Sequence, residues 1–225
     1  WLSGLCWCVM FTAFMVAITL TTVANVLVTM ALAPLFTALA ARTVLGHRLP
    51  GRTWGAIVLA GIGIGWMFGQ QTRGGDLAHW LGTAVALAVP VAAAFNWTLL
   101  QQARSRGEAG ADLMPAVLIG ALLSAALTLP LALPFDASAR DVGLLALLGT
   151  VQLAIPCLLA VGVARVLSAP EASLLSLLEV VFGVAWAWLG AGEQPALAVL
   201  AGGGLVLAAL AGNELLGIKD ARRLG

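Results

Sequence analysis

The chain has 225 residues, of which 61% are hydrophobic and only 9% are charged. This composition, with a mean hydropathy of +1.03, lies outside the range of soluble proteins and indicates an integral membrane protein surrounded by a lipid bilayer. A net charge of +1 excludes nucleic acid as a partner, because a nucleic-acid-binding protein carries a strongly basic face. Three scattered cysteines and two histidines provide neither a disulfide framework nor a metal site, so we expect no cofactor.

Charged residues and Gly/Pro clusters divide the sequence into eight apolar runs, each long enough to cross a bilayer once. The runs cover residues 3–20, 23–45, 53–71, 79–102, 113–134, 141–166, 170–190 and 195–217. They do not alternate between apolar and polar residues, as membrane-spanning strands would. The sequence therefore predicts an all-α integral membrane protein with eight transmembrane helices.

The basic residues predict the orientation of the chain. With eight crossings, both ends of the chain share one side of the membrane. Nine basic residues fall on that side: Arg42, Arg48, Arg52, Arg104, Arg106, Arg165, Lys219, Arg222 and Arg223. The opposite side has only Arg73 and Arg140. Because Lys and Arg near span ends resist translocation, we expect both termini in the cytoplasm and the chain in a bacterial inner membrane.

Prolines and glycines inside the runs predict local geometry. Three prolines fall within runs: Pro34, Pro90 and Pro156. Each removes a backbone hydrogen bond, so we expect a kink, and a functional hinge is the less favoured alternative. Three glycines recur every fourth residue and predict a ridge for close helix packing: Gly61, Gly65 and Gly69. The glycine triplet 202–204 is interpreted in the same way, and Gly-rich helices of this kind could also join two copies in a homodimer.

The sequence matches itself at an offset of 146 residues. Without a gap, this offset aligns Asn25 with Glu171, residues 34–36 with 180–182, and residues 45–47 with 191–193. The matched segments are separated by five runs, an odd number, so the second copy enters the membrane in the opposite direction. We therefore expect an inverted repeat of five-helix units.

Short motifs at the matched positions carry a family resemblance. They are residues 24–25, 33–36 and 45–49 in the first copy, and residues 168–173, 177–182 and 192–193 in the second. These segments resemble the two copies of the EamA domain of the drug/metabolite transporter superfamily, whose pattern is approximately small-Ala, Leu-Glu-Pro-hydrophobic-Phe and Leu-Gly-Glu. The chain departs from that pattern at Ala33, where Glu is usual, at His47, which replaces the acid, and at Val180, where Pro is usual.

The resemblance implies a ten-helix secondary transporter with a central cavity between the two repeats. Residues 1–71 would be the last three helices of the first EamA repeat, residues 79–217 the five helices of the second, and residues 218–225 a cytoplasmic tail. The first two of the ten helices would then lie in about 70 residues ahead of Trp1, so we expect the chain to be truncated. A genuine eight-span protein is the alternative.

Glu179 is the ionisable residue that lies deepest in a predicted span. A charge near the helix centre costs about 2.5–3.5 kcal/mol on insertion scales, so its presence indicates a function. It would bind a cationic or amine group or carry a coupling proton, or else it would cap backbone freed where the family's proline breaks the helix. Glu171 lies two turns earlier, directly after Pro170, where it would contact substrate or support the start of the helix.

Uncharged polar and aromatic residues complete the predicted substrate-binding set: Asn25, Thr29, Asn96, Trp97 and Gln152. Hydrogen bonding between helices is the default role of the four polar residues, at about 0.6–2 kcal/mol each, and cavity lining is the alternative. Asn25 is a stronger candidate for cavity lining than the others, because the repeat pairs it with Glu171 in the other half of the chain. Trp97, like Trp7, lies deep in a run, where it would form a stacking wall for a flat substrate or fill a gap between helices.

These features predict a multi-pass permease or exporter that moves a small metabolite or drug-like molecule by alternating access. The sequence has no phosphate-binding loop of the G-x-x-x-x-G-K-[ST] kind, so the energy would come from an ion gradient or from the substrate's own gradient. An enzyme is not expected, because neither H-E-x-x-H nor G-x-S-x-G occurs. The alternative is a non-transporting multi-pass subunit that stabilises a partner.

Overall fold

The computed structural model describes residues 1–45, 50–73, 77–105, 114–134, 136–157, 159 and 169–224. Ten α-helices lie in these ranges: α1 (Leu2–Leu20), α2 (Val23–Met30), α3 (Ala33–Leu45), α4 (Gly51–Arg73), α5 (Leu77–Ala86), α6 (Ala88–Ser105), α7 (Met114–Thr128), α8 (Ala139–Leu147), α9 (Ala169–Ala191) and α10 (Leu197–Leu224). A 3-10 turn, Leu129–Ala132, follows α7, and a π-helical segment, Leu148–Ala154, continues α8. The described ranges contain no strand, and the predicted all-α membrane fold is confirmed.

Six stretches of the described residues are long and apolar enough to cross a membrane: Leu2–Leu20, Val23–Ala40, Leu77–Leu99, Pro115–Ala132, Ala139–Cys157 and Leu197–Asp220. Each lies largely within one of the eight predicted runs. Helices α4 and α9 occupy the other two runs but do not meet this criterion within the described residues. The count of eight spans therefore stays a prediction.

Prolines explain where two of the long runs are interrupted. Helix α2 ends at Met30 and helix α5 ends at Ala86, four residues before Pro34 and Pro90. A proline has no N–H to donate to the carbonyl four residues earlier, and its ring crowds that carbonyl, so the helix stops there. Pro156 follows the π-helical segment, whose hydrogen bonds reach the fifth residue rather than the fourth. The predicted kinks at Pro34 and Pro90 are confirmed.

Helix positions in the two halves of the chain agree with the offset of 146 residues. Helix α4 begins at Gly51 and α10 begins at Leu197, 146 residues later. The described part of α2 and α3, from Val23 to Leu45, aligns with the described part of α9, from Ala169 to Ala191. Because residues 46–49 and 160–168 lie outside the described residues, only the starts of α4 and α10 compare two observed helix boundaries.

Helices related by this offset pack against each other in antiparallel pairs. Helix α2 packs on α9, and the start of α2 lies beside Glu193, just beyond the end of α9. Helix α4 packs on α10, and Arg52 in the first turn of α4 forms an ion pair with Asp220 near the end of α10. Opposite directions for related helices are what an inverted repeat requires.

The main apolar core lies between these two pairs. Its buried side chains come chiefly from α2, α4, α9 and α10: Ala24, Leu27, Val28, Ala31, Ala56, Ala60, Ile64, Val180, Val199, Val206 and Leu210. Helix α1 packs on α5, α6 and α7, and α3 packs on α6. The chain therefore changes neighbours at the break between α2 and α3, because α2 stays with α9 while α3 turns to α6.

Glycines allow the closest approaches in both antiparallel pairs. A Cβ atom on Gly63 would lie 2.6 Å from the carbonyl oxygen of Gly202, so α4 and α10 touch backbone to backbone. A Cβ on Gly183 of α9 would collide with the side chain of Leu27 on α2. Such contacts are the main source of helix association in lipid, where burial of apolar surface between helices gains little.

The predicted glycine ridge on α4 is wrong at Gly61 and Gly65 for contacts with the described residues. Cβ atoms added to Gly61 and Gly65 would meet nothing within 4 Å among the described residues, and Gly69 lies outside the residues whose side chains are described. Gly63 carries the contact with α10 instead, against the backbone of Gly202 and the side chain of Val206. A homodimer through the open Gly61 and Gly65 face stays a prediction.

We expect Gly63→Ala to lower the stability of the protein by about 1–3 kcal/mol, because the added methyl group must displace the backbone of α10. Gly61→Ala is the matched control, since its methyl group enters open space and Ala is a better helix former than Gly. The apparent melting temperature in detergent, followed by size-exclusion chromatography after heating, measures both. Equal losses in the two variants would contradict the described contact.

Candidate functional site

A buried polar cluster joins the end of α1, the start of α2 and helix α5. Asn25 is fully buried, and its Nδ2 donates hydrogen bonds to Thr21 Oγ1 at 3.0 Å and to Thr83 Oγ1. The Thr83 hydroxyl in turn donates to the carbonyl oxygen of His79 at 3.0 Å. Asn25 Oδ1 is buried and has no hydrogen-bond partner among the described residues. We call Thr21, Asn25 and Thr83 the asparagine cluster.

Thr29 lies one turn beyond Asn25 on α2 and is also fully buried. Its hydroxyl donates to the carbonyl oxygen of Asn25 at 2.8 Å, a bond within its own helix. The structure thus brings these two predicted site residues together on α2. Asn25 has the hydrogen bonding between helices that the sequence suggested as the default, whereas the bond of Thr29 stays within α2. Substrate contact stays a prediction for both.

A carboxylate from the other half of the chain completes the start of α2. Glu193 Oε2 accepts from the backbone N–H of Val23 at 3.2 Å, and Glu193 Oε1 accepts from that of Ala24 at 3.3 Å. Thr22 Oγ1 accepts from the N–H of Asn25 at 3.3 Å as the local N-cap. The first N–H groups of a helix lack partners within it and attract negative charge, so both caps stabilise this helix end. We call the contact of Glu193 with Val23 and Ala24 the Glu193 cap.

The backbone conformation of Gly192 places Glu193 beside the start of α2. Gly192 has φ = +69°, the left-handed conformation that ends many helices and that suits glycine. The N–H of Glu193 then donates to the carbonyl oxygen of Ala187 at 3.1 Å, which fixes the turn. The sequence flagged the Gly-Glu pair as a motif, but its partner could not be identified because that partner lies 169–170 residues earlier in the chain.

Asn96 lies at the opposite end of α1 from the asparagine cluster. Its Oδ1 accepts from Ser3 Oγ at 2.6 Å, which ties α6 to the first turn of α1. Ser3 and Thr21 are separated along α1 by about 27 Å, at about 1.5 Å per residue. The structure therefore does not bring Asn96 and Asn25 together. The neighbouring Trp97 is 43% exposed and does not fill a gap in the described core.

Glu179 lies on an exposed flank of α9. Its neighbour Val180 is buried in the main core, whereas Glu179 is exposed together with Phe182 and Trp186. These three residues recur at intervals of three and four, so they share one side of the helix. We call Glu179, Phe182 and Trp186 the Glu179 face. About 15 Å of helix precede Glu179 and about 18 Å follow it within α9, which places it near the middle of this helix.

Helix α9 is continuous from Ala169 to Ala191. Val180 stands where the family usually has proline, and the helix has no break at this position. The alternative role of Glu179, which is to cap backbone freed by a break, therefore has no freed backbone to act on.

The structure describes the surroundings of the other residues named from the sequence in less detail. Gln152 lies exposed in the π-helical segment of the candidate span Ala139–Cys157. Glu171 is the third residue of α9, and its side chain lies outside what the structure describes. His47 and Arg165 lie outside the described residues. Trp7 is half-buried, with its Cβ against Gly120 of α7 and its ring 5.4 Å from that of Phe11.

These helices, with antiparallel pairs of helices related by the offset, define a multi-pass helical membrane protein. Residues 80–213 match the model of the EamA-like transporter family, and this range is 134 of the 225 residues. The chain belongs to the EamA-like transporter family and is a membrane transporter of the drug/metabolite transporter superfamily. That family is not an enzyme family. Searches of curated proteins and of solved structures found no match.

We expect Asn25→Ala to lower the stability by about 1–3 kcal/mol, because Thr21 and Thr83 lose a buried partner that joins α1, α2 and α5. Thr29→Val is the control: it keeps the shape of the side chain and removes only a bond to its own helix, so the melting temperature should change little. Thermal unfolding in detergent measures both variants. A tolerated Asn25→Ala would mean that the cluster does not hold these helices together.

Proposed function

We propose that the protein is a secondary active exporter of a small metabolite or drug-like molecule and works by alternating access. Membership of the EamA-like transporter family supports transport, and the antiparallel packing of repeat-related helices supports two halves that move against each other. The sequence lacks a phosphate-binding loop, which supports an ion gradient or the substrate's own gradient as the energy source.

The observation that carries the proposal is a carboxylate near the middle of α9, on an exposed flank of a helix that we propose to span the membrane. A charged side chain near the membrane centre is costly, so it faces a water-filled cavity or a partner rather than lipid. Glu179 meets this condition, since it lies near the middle of α9 and no hydrogen bond or ion pair within the described part of the chain reaches its carboxylate. We assign Glu179 the role of binding the substrate or of carrying a coupling proton.

The neighbours of Glu179 indicate the chemistry of the substrate. Phe182 and Trp186 share its side of α9 and are 58% and 71% exposed. Aromatic faces attract cations, and a carboxylate pairs with them, so the Glu179 face suits an amine or quaternary ammonium group on an apolar body. Among the other predicted residues, the exposed Trp97 and Gln152 are proposed to line the path. Asn25, Thr29, Asn96 and Glu171 are proposed to contribute at its ends.

Replacing Glu179 by Gln should abolish or uncouple transport while the protein still inserts and purifies as a single species. Gln keeps the size and hydrogen-bonding capacity of Glu but cannot carry the charge or release a proton. The assay uses proteoliposomes between about pH 6 and 8. Its probes are benzyltrimethylammonium, which is permanently charged, and 2-phenylethylamine. We expect at least about a tenfold loss in the affinity for both, equivalent to about 1.4 kcal/mol.

Glu214→Gln is the matched control for this variant. Glu214 is also a carboxylate within a span, but it lies on α10 beside Asn213, whose Nδ2 donates to it at 3.4 Å. Replacing Glu214 by Gln should leave transport unchanged. Normal transport by Glu179→Gln across this pH range would refute both roles of Glu179. Loss of cation affinity without loss of proton coupling would leave Glu179 as a charge-selecting wall and direct the search for coupling to Glu171.

We propose further that both ends of the chain lie in the cytoplasm of a bacterium. Nine of the eleven basic residues fall on that side if the chain crosses eight times. A single cysteine placed near Arg104 should react with a membrane-impermeant maleimide only from the cytoplasmic side, and one near Asp136 only from outside. Labelling near Arg104 from outside would overturn the count of eight spans.

A further inference from the structure

We infer that the Glu193 cap is a gate that closes the outer end of the transport pathway. By outer end we mean the end of the bundle where α1 and α9 finish and α2, α5 and α10 begin, which is periplasmic in the proposed topology. A gate requires a pathway, so this inference rests on the proposed function. The hydrogen bonds of the cap and its position between the two halves of the chain support this role.

The cap is a bond between the two halves of the chain rather than a local feature of α2. The N-cap residue Thr22 serves the N–H of Asn25, and the N–H of Val26 reaches the carbonyl of Thr22. The N–H groups of Val23 and Ala24 are left, and the two oxygens of one carboxylate take both. Separating α2 from residue 193 would therefore expose two N–H groups and one carboxylate at the same time.

The contact also lies at the top of a continuous seam. Below the cap, Leu27 of α2 packs into the space left by Gly183, and a Cβ on Gly203 would lie 2.7 Å from Cγ2 of Val28. Val180, deeper on α9, belongs to the same core and is the neighbour of Glu179. The seam of α2 against α9 and α10 thus runs from the Glu193 cap down to the level of the Glu179 face. In this conformation it is closed from its outer end.

The inner half of the same run packs mainly on another helix. Helix α2 ends at Met30, and α3 packs chiefly on α6, with Leu35 of α3 at the edge of the main core. The break before Pro34 is therefore the point at which α2 can pivot relative to α3 when the outer end opens. This movement must break the hydrogen bonds of the Glu193 carboxylate with α2. These bonds therefore set the equilibrium between the closed and open states of the outer end.

The gate is tested by the reactivity of a cysteine hidden in the seam. In a parent protein whose Cys6, Cys8 and Cys157 are replaced by Ala, Leu27→Cys is buried under Gly183 and should react slowly with a membrane-impermeant maleimide added from outside. Adding Glu193→Ala should raise its rate about five- to thirty-fold, the population change expected from loss of one helix cap. Glu193→Gln, which keeps an acceptor oxygen but loses the charge, should fall between them.

Two controls separate gating from general loosening. Gln194→Ala alters the same segment without touching the cap and should leave the rate at Leu27→Cys unchanged. Ala60→Cys probes the same apolar core on α4 and should react slowly in all backgrounds. If Glu193→Ala raises the rates at both positions equally, Glu193 is only a structural cap and the gate is refuted. Val28→Cys replaces the seam probe if Leu27→Cys does not fold.

The outcome does not depend on finding the substrate. An unchanged rate at Leu27→Cys in Glu193→Ala refutes the gate, even if the parent transports the amine probes. A raised rate confined to the seam supports a gate at this end, and absence of transport in the parent would then count against the proposed function alone.

Discussion

Helices in a bilayer gain little by burying apolar side chains against each other, so they associate where their backbones can approach closely or exchange hydrogen bonds. In this chain the condition is met by glycine at the contacts between repeat-related helices, with Gly63 against Gly202 and Gly183 against Leu27. The position of the candidate site is a result of that constraint. Because α9 commits the side that carries Val180 and Gly183 to α2, its flank with Glu179 is left uncovered.

Features that depend on local chemistry could be predicted from the sequence. The helix breaks before Pro34 and Pro90 follow from the missing N–H of proline, and the offset of 146 residues agrees with the starts of α4 and α10. Glu179 was found from its depth in an apolar run alone. Each of these inferences needs only the residue and its distance along the chain.

Features that depend on the rotation or partner of a helix could not be predicted. Gly61 and Gly63 are both small residues on α4, and only the presence of α10 decides that Gly63 carries the contact. Asn25 was identified as polar, but its partner Thr83 lies 58 residues away on another helix. The role of Glu193 was missed for the same reason, since a carboxylate in a loop has no visible partner in the sequence.

The two repeats differ at the point where they would be expected to correspond most closely. The offset pairs Ala33 with Glu179 and Pro34 with Val180, so the first copy has a break without a charge and the second has a charge without a break. The break lets the first copy change neighbours from α9 to α6, while α9 continues straight. In the proposed alternating-access cycle, unequal halves give the two states unequal free energies even without substrate or ion.

The Glu193 cap also has a consequence for the order in which the protein is made. Helix α2 is synthesised about 170 residues before the carboxylate that completes its first turn. At a synthesis rate of about 5–20 residues per second, roughly ten to thirty seconds pass before that carboxylate is made. Until then, two N–H groups at the start of α2 have no cap. Glycines 183 and 203, which receive Leu27 and Val28, arrive equally late. The first half of the chain therefore cannot complete its own folding in the membrane, and its outer end is finished only when the second half has been inserted.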